Sequence, residues 1–277
     1  MLCSFSSRLY RGIRYYSTYK NLIVKNVDDC KEILLIGLNR STKRNAVNHE
    51  TALELYEAFL NYENDSKSKI AIIHGHDSDS FCAGYDLTEV SIKFKMDYDK
   101  HAPAPMGPSR MFLSKPLIAS IKGYAVAGGL ELSLIADLRV SERSSKFGVY
   151  CRRFGVPLID GGTVRLPRLI GLSRALDMII SGRTVNADEA LSIGLINRLV
   201  EDGQSLSESI KLAKQLLKFP YQCMNTDRLS AYYSMNHTMD DSLKNEYENG
   251  IKIIEKESIQ GAKRFVQGEG RGGMEIK

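Results

Sequence analysis

The stretch PLIASIKGYAVAGGLELSLIADLRV, residues 116–140, decides the fold class. Pro116 to Ile121 reads as a short buried strand, because its residues are mostly apolar and do not alternate. Gly123-Tyr124-Ala125-Val126-Ala127-Gly128-Gly129 follows and opens an apolar helix expected to run through Leu130 to Asp137. Leu138-Arg139-Val140 then reads as a strand again. Strand, helix and strand at this spacing predict an α/β fold built from repeated strand–helix turns.

The same rhythm extends in both directions. Upstream, Asn21 to Val27 and Ile33 to Leu38 are strand-like runs. Asn48 is placed to cap a helix whose apolar stripe includes Leu53, Tyr56 and Leu60. Ile70-Ala71-Ile72-Ile73 is a further buried strand, closed by a turn-rich segment. The polar connection from Lys93 to Arg110 carries Pro103, Pro105 and Pro108, the composition of a substrate-gating loop. Downstream, a second loop and helix start falls at Pro157-Leu158-Ile159-Asp160-Gly161-Gly162. After about Gln204 only helical patterns remain. The expected division is an α/β core over residues 17–204 and a C-terminal helical module over 205–277.

Composition narrows the function classes. A chain of 277 residues, 43% of them hydrophobic, can bury one large core. No stretch approaches the roughly 20 uncharged apolar residues that a membrane span requires. Residues 1–16 carry Arg8, Arg11 and Arg14 with no acid, and Phe5, Leu9 and Ile13 fall on one helical face. That is the composition of a mitochondrial transit peptide, which directs the expectation to the matrix. Without those three arginines the formal charge falls from +5 to +2, so no nucleic-acid partner is expected. The five cysteines are widely spaced with no Cys-x-x-Cys, which indicates neither a disulfide framework nor a zinc site. His74 and His76 flank Gly75 without a third ligand motif and read as turn chemistry, so no metal is expected.

Two backbone features carry chemistry. Phe81-Cys82-Ala83-Gly84-Tyr85-Asp86-Leu87 leaves a strand through small residues, and Ala127-Gly128-Gly129-Leu130-Glu131 opens a helix. Unpartnered N–H groups at helix starts bind anions, and two such donors aimed at one thioester oxygen form an oxyanion hole. Gly-Gly before a helix equally serves close helix–strand packing.

These stretches resemble signatures of the enoyl-CoA hydratase/isomerase (crotonase) family, in the family's order. They are Leu38-Asn39-Arg40 with Asn45-Ala46, then Phe81 to Leu87, then Gly123 to Leu132. A fourth, Gly161-Gly162-Thr163 with Arg165-Leu166-Pro167 and Ile170-Gly171, is similar to the stretch that closes the family's site. The resemblance implies a spiral of ββα turns with a C-terminal helical trimerisation module, assembled as a homotrimer or hexamer. It implies an acyl-CoA thioester substrate, so coenzyme A belongs to the substrate and no separate cofactor is needed. The oxyanion donors would be the N–H groups of Tyr85 and Gly128, and the substrate-contacting turn would include Asp86, Leu87 and Thr88. Ala46 and Ala83 would offer backbone contacts to the adenine end. Arg40, Lys43, Arg44, Lys263 and Arg264 are candidates to face CoA phosphates, with a solvated turn as the alternative for the first three.

Glu131 matches one of the two acid/base glutamates of the hydratases and follows Gly128 by one helical turn. Its apolar neighbours predict a raised pKa, suited to proton transfer near neutrality. The second hydratase glutamate falls at Cys151, followed here by Arg152 and Arg153. Cys151 is either a shaping residue or a nucleophile whose pKa the arginines lower. Asp160 is the nearest other carboxylate, and it reads either as a second catalytic acid/base or as a helix N-cap. Three functions stay open: hydration of a 2-enoyl-CoA, double-bond isomerisation with one carboxylate, and non-catalytic CoA-ester binding on a scaffold.

Overall fold

The structure is a computed structural model that describes residues 19–92 and 102–269. The expected transit segment 1–16 and residues 93–101 of the Pro-punctuated connection lie outside the described residues.

β1 (Leu22–Val27) and β2 (Cys30–Leu38) form an antiparallel hairpin. Three turns of chain follow, each dealing one strand to each of two sheets. The pairs are β3 (Ile70–Gly75) with β4 (Ser80–Cys82), β5 (Leu117–Ile121) with β6 (Tyr124–Val126), and β7 (Leu138–Glu142) with β8 (Lys146–Gly148). Between them lie α1 (His49–Asn64), α2 (Leu87–Ile92) and α3 (Gly128–Ser133). Then come α4 (Gly162–Ile170), α5 (Leu172–Ser181), β9 (Val185–Asn186), α6 (Ala187–Ser192) and β10 (Arg198–Val200). The larger sheet has the order β1-β2-β3-β5-β7-β10 and the smaller β4-β6-β8-β9. The pairings from β2 through β10 in the larger sheet are parallel, as are those from β4 to β8 in the smaller. This is the expected α/β spiral.

The apolar runs are continuous because parallel strands are covered on both faces. One face of the larger sheet presents Ile33, Leu35, Ile70, Ile72, Ile118 and Val140 to Leu212 and Ala213 of α7 (Ser205–Leu217). The opposite face presents Ile36, Ala71, Ile73 and Ala119 to the core that also holds α1. α7 lies just past the expected boundary at 204/205, yet it packs on the sheet. The helices after it, α8 (Tyr221–Ser234), α9 (Met239–Ile253) and α10 (Ile259–Val266), bury none of their residues.

Two local expectations need correction. Asn48 does cap α1, its side chain accepting from Thr51 N–H at 3.0 Å, but the stripe Leu53, Tyr56 and Leu60 is not the buried one. Leu53 and Leu60 are exposed, and Ala52, Leu55, Phe59 and Tyr62 enter the core. Both sets have helical spacing, so periodicity alone could not choose between them. Tyr62 decides it, with its hydroxyl 2.7 Å from Pro116 O and 3.1 Å from Lys69 O. The helix at Gly128 also ends at Ser133 rather than Asp137. The Asp137 carboxylate is drawn to β5 and α8, accepting from Leu117 N–H and from Arg228, each at 2.7 Å.

Removing the Tyr62 hydroxyl takes one donor from each of two carbonyls, which keep Ala71 N–H at Pro116 O and the Tyr221 hydroxyl at Lys69 O. Tyr62→Phe is expected to cost about 1–2 kcal/mol of unfolding free energy. Urea denaturation followed by circular dichroism checks it, and an unchanged midpoint refutes it.

Candidate active site

The first turn of the site follows β4. Gly84 takes φ +99°, and strand-like bonds splice residue 47 onto the turn: Val47 N–H donates to Gly84 O, and Asp86 N–H to Val47 O, each at 2.8 Å. Asn45 anchors this splice. It is fully buried and left-handed at φ +55°; its Nδ2 donates to Ser80 O and its Oδ1 accepts from Arg40 N–H, both at 2.9 Å. Asn and Asp tolerate that conformation better than other side chains.

The second turn joins β6 to α3 through Ala127, which sits at φ +52°. Its N–H donates to Gly148 O at 2.9 Å, so the strand ladder imposes a conformation that costs of order 1 kcal/mol or more. The two turns press directly on each other. A Cβ on Gly84 would lie 2.9 Å from Gly128 N, and one on Gly129 would lie 2.0 Å from Cys82 O. Close packing and donor placement are therefore not rival explanations of the glycines. The close approach is what brings Gly128 N–H beside the first turn. As the first residue of α3, Gly128 has no acceptor for that N–H within the helix.

A cavity of about 100 Å³ opens where the turns meet. Ala83, Tyr85 and Leu87 line it from the first turn, Gly128 and Glu131 from α3, and Cys151 and Asp160 from the chain between β8 and α4. Ala46, Asp86 and Thr88 do not line it. Arg40 binds the Ala46 carbonyl and pairs with Asp86 at 3.2 Å, while Asp86 also accepts from the Thr88 hydroxyl at 2.7 Å. Arg40 is thus committed to bracing the turn. Arg44 lies over the Tyr124 ring and Arg264 pairs with Glu269. The Tyr85 phenol donates to Glu89 at 2.8 Å, so its hydroxyl is engaged outside the proton transfer. A larger cavity, about 550 Å³, lies beside Arg139, Arg168 and Arg228 and contains neither Glu131 nor Gly128.

Glu131 is 3% exposed. Its Oε1 accepts from Asp160 N–H at 2.9 Å and Gly162 N–H at 2.8 Å, so this carboxylate satisfies the start of α4 from across the cavity. Burial pushes its pKa up to about 7. The Gly162 bond opposes that rise, the nearby Asp160 charge adds to it, and Arg165 opposes it weakly. Among the described residues no ion pair holds Glu131 away from the cavity.

Asp160 is not the cap of α4. Gly161 occupies that position at φ +95°, and the Asp160 side chain turns the other way. Its Oδ1 accepts from Met106 N–H at 2.9 Å and from the Ser109 hydroxyl. Burial raises its pKa despite these bonds. The electrostatics run against the nucleophile reading of Cys151. Burial first, then the negative charge of Glu131, raise the thiol pKa. Arg152 donates away to Ile179 O, and Arg153 donates to Gly182 O and stacks on Tyr150. A neutral thiol faces the cavity. The clamp on Asp160 had no signal in the sequence, because it spans 54 residues to Met106 and 51 to Ser109.

Comparison with known proteins identifies the family. A family model described as enoyl-CoA hydratase/isomerase matches residues 29–269. A carnitinyl-CoA dehydratase of Salmonella enteritidis is 36% identical over 186 residues, covering 67% of this chain and 71% of that protein. An enoyl-CoA hydratase of Mycobacterium tuberculosis superposes with a TM-score of 0.81 at 29% identity, over 89% of this chain and 96% of that one. One from Mycobacterium marinum gives 0.81 at 28% identity, with the same coverage.

The raised pKa of Glu131 has a stability consequence. The folded chain holds this proton up to about pH 7, whereas the unfolded chain releases it near 4.5, so stability falls as pH rises through that window. Glu131→Gln removes the penalty and is expected to gain roughly 1–3 kcal/mol at about pH 8. Urea unfolding of both proteins across pH checks this, and a less stable variant at that pH contradicts it.

Proposed function

Because the chain belongs to the enoyl-CoA hydratase/isomerase family and acts on CoA thioesters, we propose that it isomerises an enoyl-CoA with Glu131 as its only proton carrier. The Glu131 carboxylate takes a proton from the α-carbon of a 3-enoyl-CoA. The freed electron pair moves into the thioester, placing negative charge on its oxygen, to which the Tyr85 and Gly128 N–H groups donate hydrogen bonds. The protonated Glu131 then returns the proton at the γ-carbon, leaving a 2-enoyl-CoA. Each N–H donor is worth ~3 kcal/mol at the transition state, and the positioned base contributes roughly 10²–10⁴-fold.

One observation carries the reading: Tyr85, Gly128 and Glu131 line one cavity, and the carboxylate there titrates near neutrality. A base with a pKa of about 7 is half ionised at working pH and still basic enough to accept a carbon-bound proton. Leu87, Val90, Val156 and Ile159 give the wall an apolar stretch, which suits an acyl chain. We place the remaining substrate contacts on Ala83 and Leu87 inside the cavity and on Ala46, Asp86 and Thr88 outside it, and the assembly in a trimer or hexamer.

Hydration is the second reading, favoured by the dehydratase name of the Salmonella relative. It needs a second group to activate water. Cys151 offers a neutral thiol, and Asp160 has its Oδ1 committed to Met106 and Ser109. Both observations support isomerisation over hydration.

The test offers the purified protein a 3-enoyl-CoA and crotonyl-CoA. Isomerisation appears as gain of the conjugated enoyl-thioester absorbance with the first, and hydration as its loss with the second. Gain with the 3-enoyl ester is expected, rising with pH through about 7 as Glu131 ionises. Glu131→Gln is expected to lose roughly 10²–10⁴-fold in kcat while still binding CoA esters. Undiminished turnover in that variant removes the mechanism. Binding without turnover by the unaltered protein transfers the chain to the scaffold reading.

A further inference from the structure

The turn Ala104–Ser109 contributes no group to the proton transfer proposed above, yet it is fastened to Asp160, a residue that itself holds the Glu131 carboxylate. Ala104 and Gly107 exchange backbone bonds, N–H to O, at 2.9 and 2.8 Å. This pinch holds Met106, fully buried, against α3: a Cβ on Gly128 would lie 2.6 Å from Met106 Sδ. The turn is held in place by Asp160, whose Oδ1 takes Met106 N–H and the Ser109 hydroxyl. The main-chain N–H of the same Asp160 donates to Glu131 Oε1 at 2.9 Å. One residue thus grips the segment beside Gly128 with its side chain and the Glu131 carboxylate with its backbone.

We propose that Asp160 is a positioning residue that locks the 104–109 turn, the Gly128 donor and the Glu131 carboxylate into one unit, and does not itself move a proton. The proposal rests on Glu131 being the base. Asp160 is buried, 3% exposed, and one of its oxygens already holds two donors. The charged and titratable groups facing Glu131 are Asp160 itself, Arg165 of α4 and Cys151. Those facing Asp160 are Arg110, Arg165 and Tyr85. Neutralising Asp160 takes a negative neighbour away from Glu131, so the base should ionise at lower pH.

Asp160→Asn separates the possibilities, because an amide oxygen can still accept both bonds while the charge is gone. A positioning role predicts kcat within about tenfold of the unaltered protein, with the acid limb of the pH–rate profile displaced downward by about half a unit. Asp160→Ala releases the turn and is expected to lose about 10²-fold in kcat, the scale of a misplacement near 1 Å. Should the alanine variant not fold, Ser109→Ala removes a single bond to the clamp and is expected to lower kcat about fivefold. A loss in Asp160→Asn as deep as in Glu131→Gln overturns the proposal in favour of proton transfer by Asp160. An unmoved acid limb together with unchanged kcat in the Asp160 and Ser109 variants overturns it in favour of a purely structural clamp. Full activity of Glu131→Gln is the separate result that removes the base on which the proposal rests.

Discussion

Between the end of β4 and the start of α3 the main chains come so close that neither side tolerates a Cβ. A side chain at 129 would overlap Cys82 O, and one at 84 would crowd Gly128 N. The approach is enforced from outside the site by the parallel ladder of β4, β6 and β8, which also holds Ala127 at its positive φ. The cavity and the placement of Gly128 N–H follow from this constraint. Asn45 and Arg40 brace the first turn from behind, which is why their polar groups are spent on backbone and on Asp86 rather than on the cavity.

The second determinant is electrostatic. Glu131 is buried among apolar residues and receives two N–H groups on Oε1, so two effects oppose each other. The donors favour the carboxylate and burial favours the acid; burial wins, and the group titrates at about 7. A structural carboxylate that served only to cap α4 would be better placed where water also reaches it. The energetic cost of holding Glu131 here is comparable to several ordinary hydrogen bonds, which suits a group retained for chemistry at the expense of stability.

Much of the fold was legible because parallel strands buried on both faces leave uninterrupted apolar runs, as at Ile70 to Ile73 and Leu117 to Ile121. The small-residue turns around Gly84 and Gly128 were legible for a related reason: glycine at successive turn positions signals a close approach. The buried face of α1 was not, since Leu53, Tyr56 and Leu60 have the same spacing as Leu55, Phe59 and Tyr62, and only the sheet beneath distinguishes them. The helix end at Ser133 depended on Asp137 finding partners in β5 and α8. The alternatives at Asp160 and Cys151 stayed open in the sequence for the same reason. What a carboxylate or a thiol does there depends on segments far along the chain, namely 104–109 for Asp160 and the end of α5 for the arginines beside Cys151.

The central claim is that Glu131 takes a carbon-bound proton while main-chain donors hold the charge that develops. A saturated acyl-CoA isolates that step, because it has an α-proton to lose and no double bond to move. Incubation of butanoyl-CoA with the protein in D₂O, followed by proton NMR, should show the α-hydrogens replaced by deuterium, and Glu131→Gln should abolish the exchange. Exchange that continues undiminished in the variant, or none by an unaltered protein that binds the ester, would contradict the account.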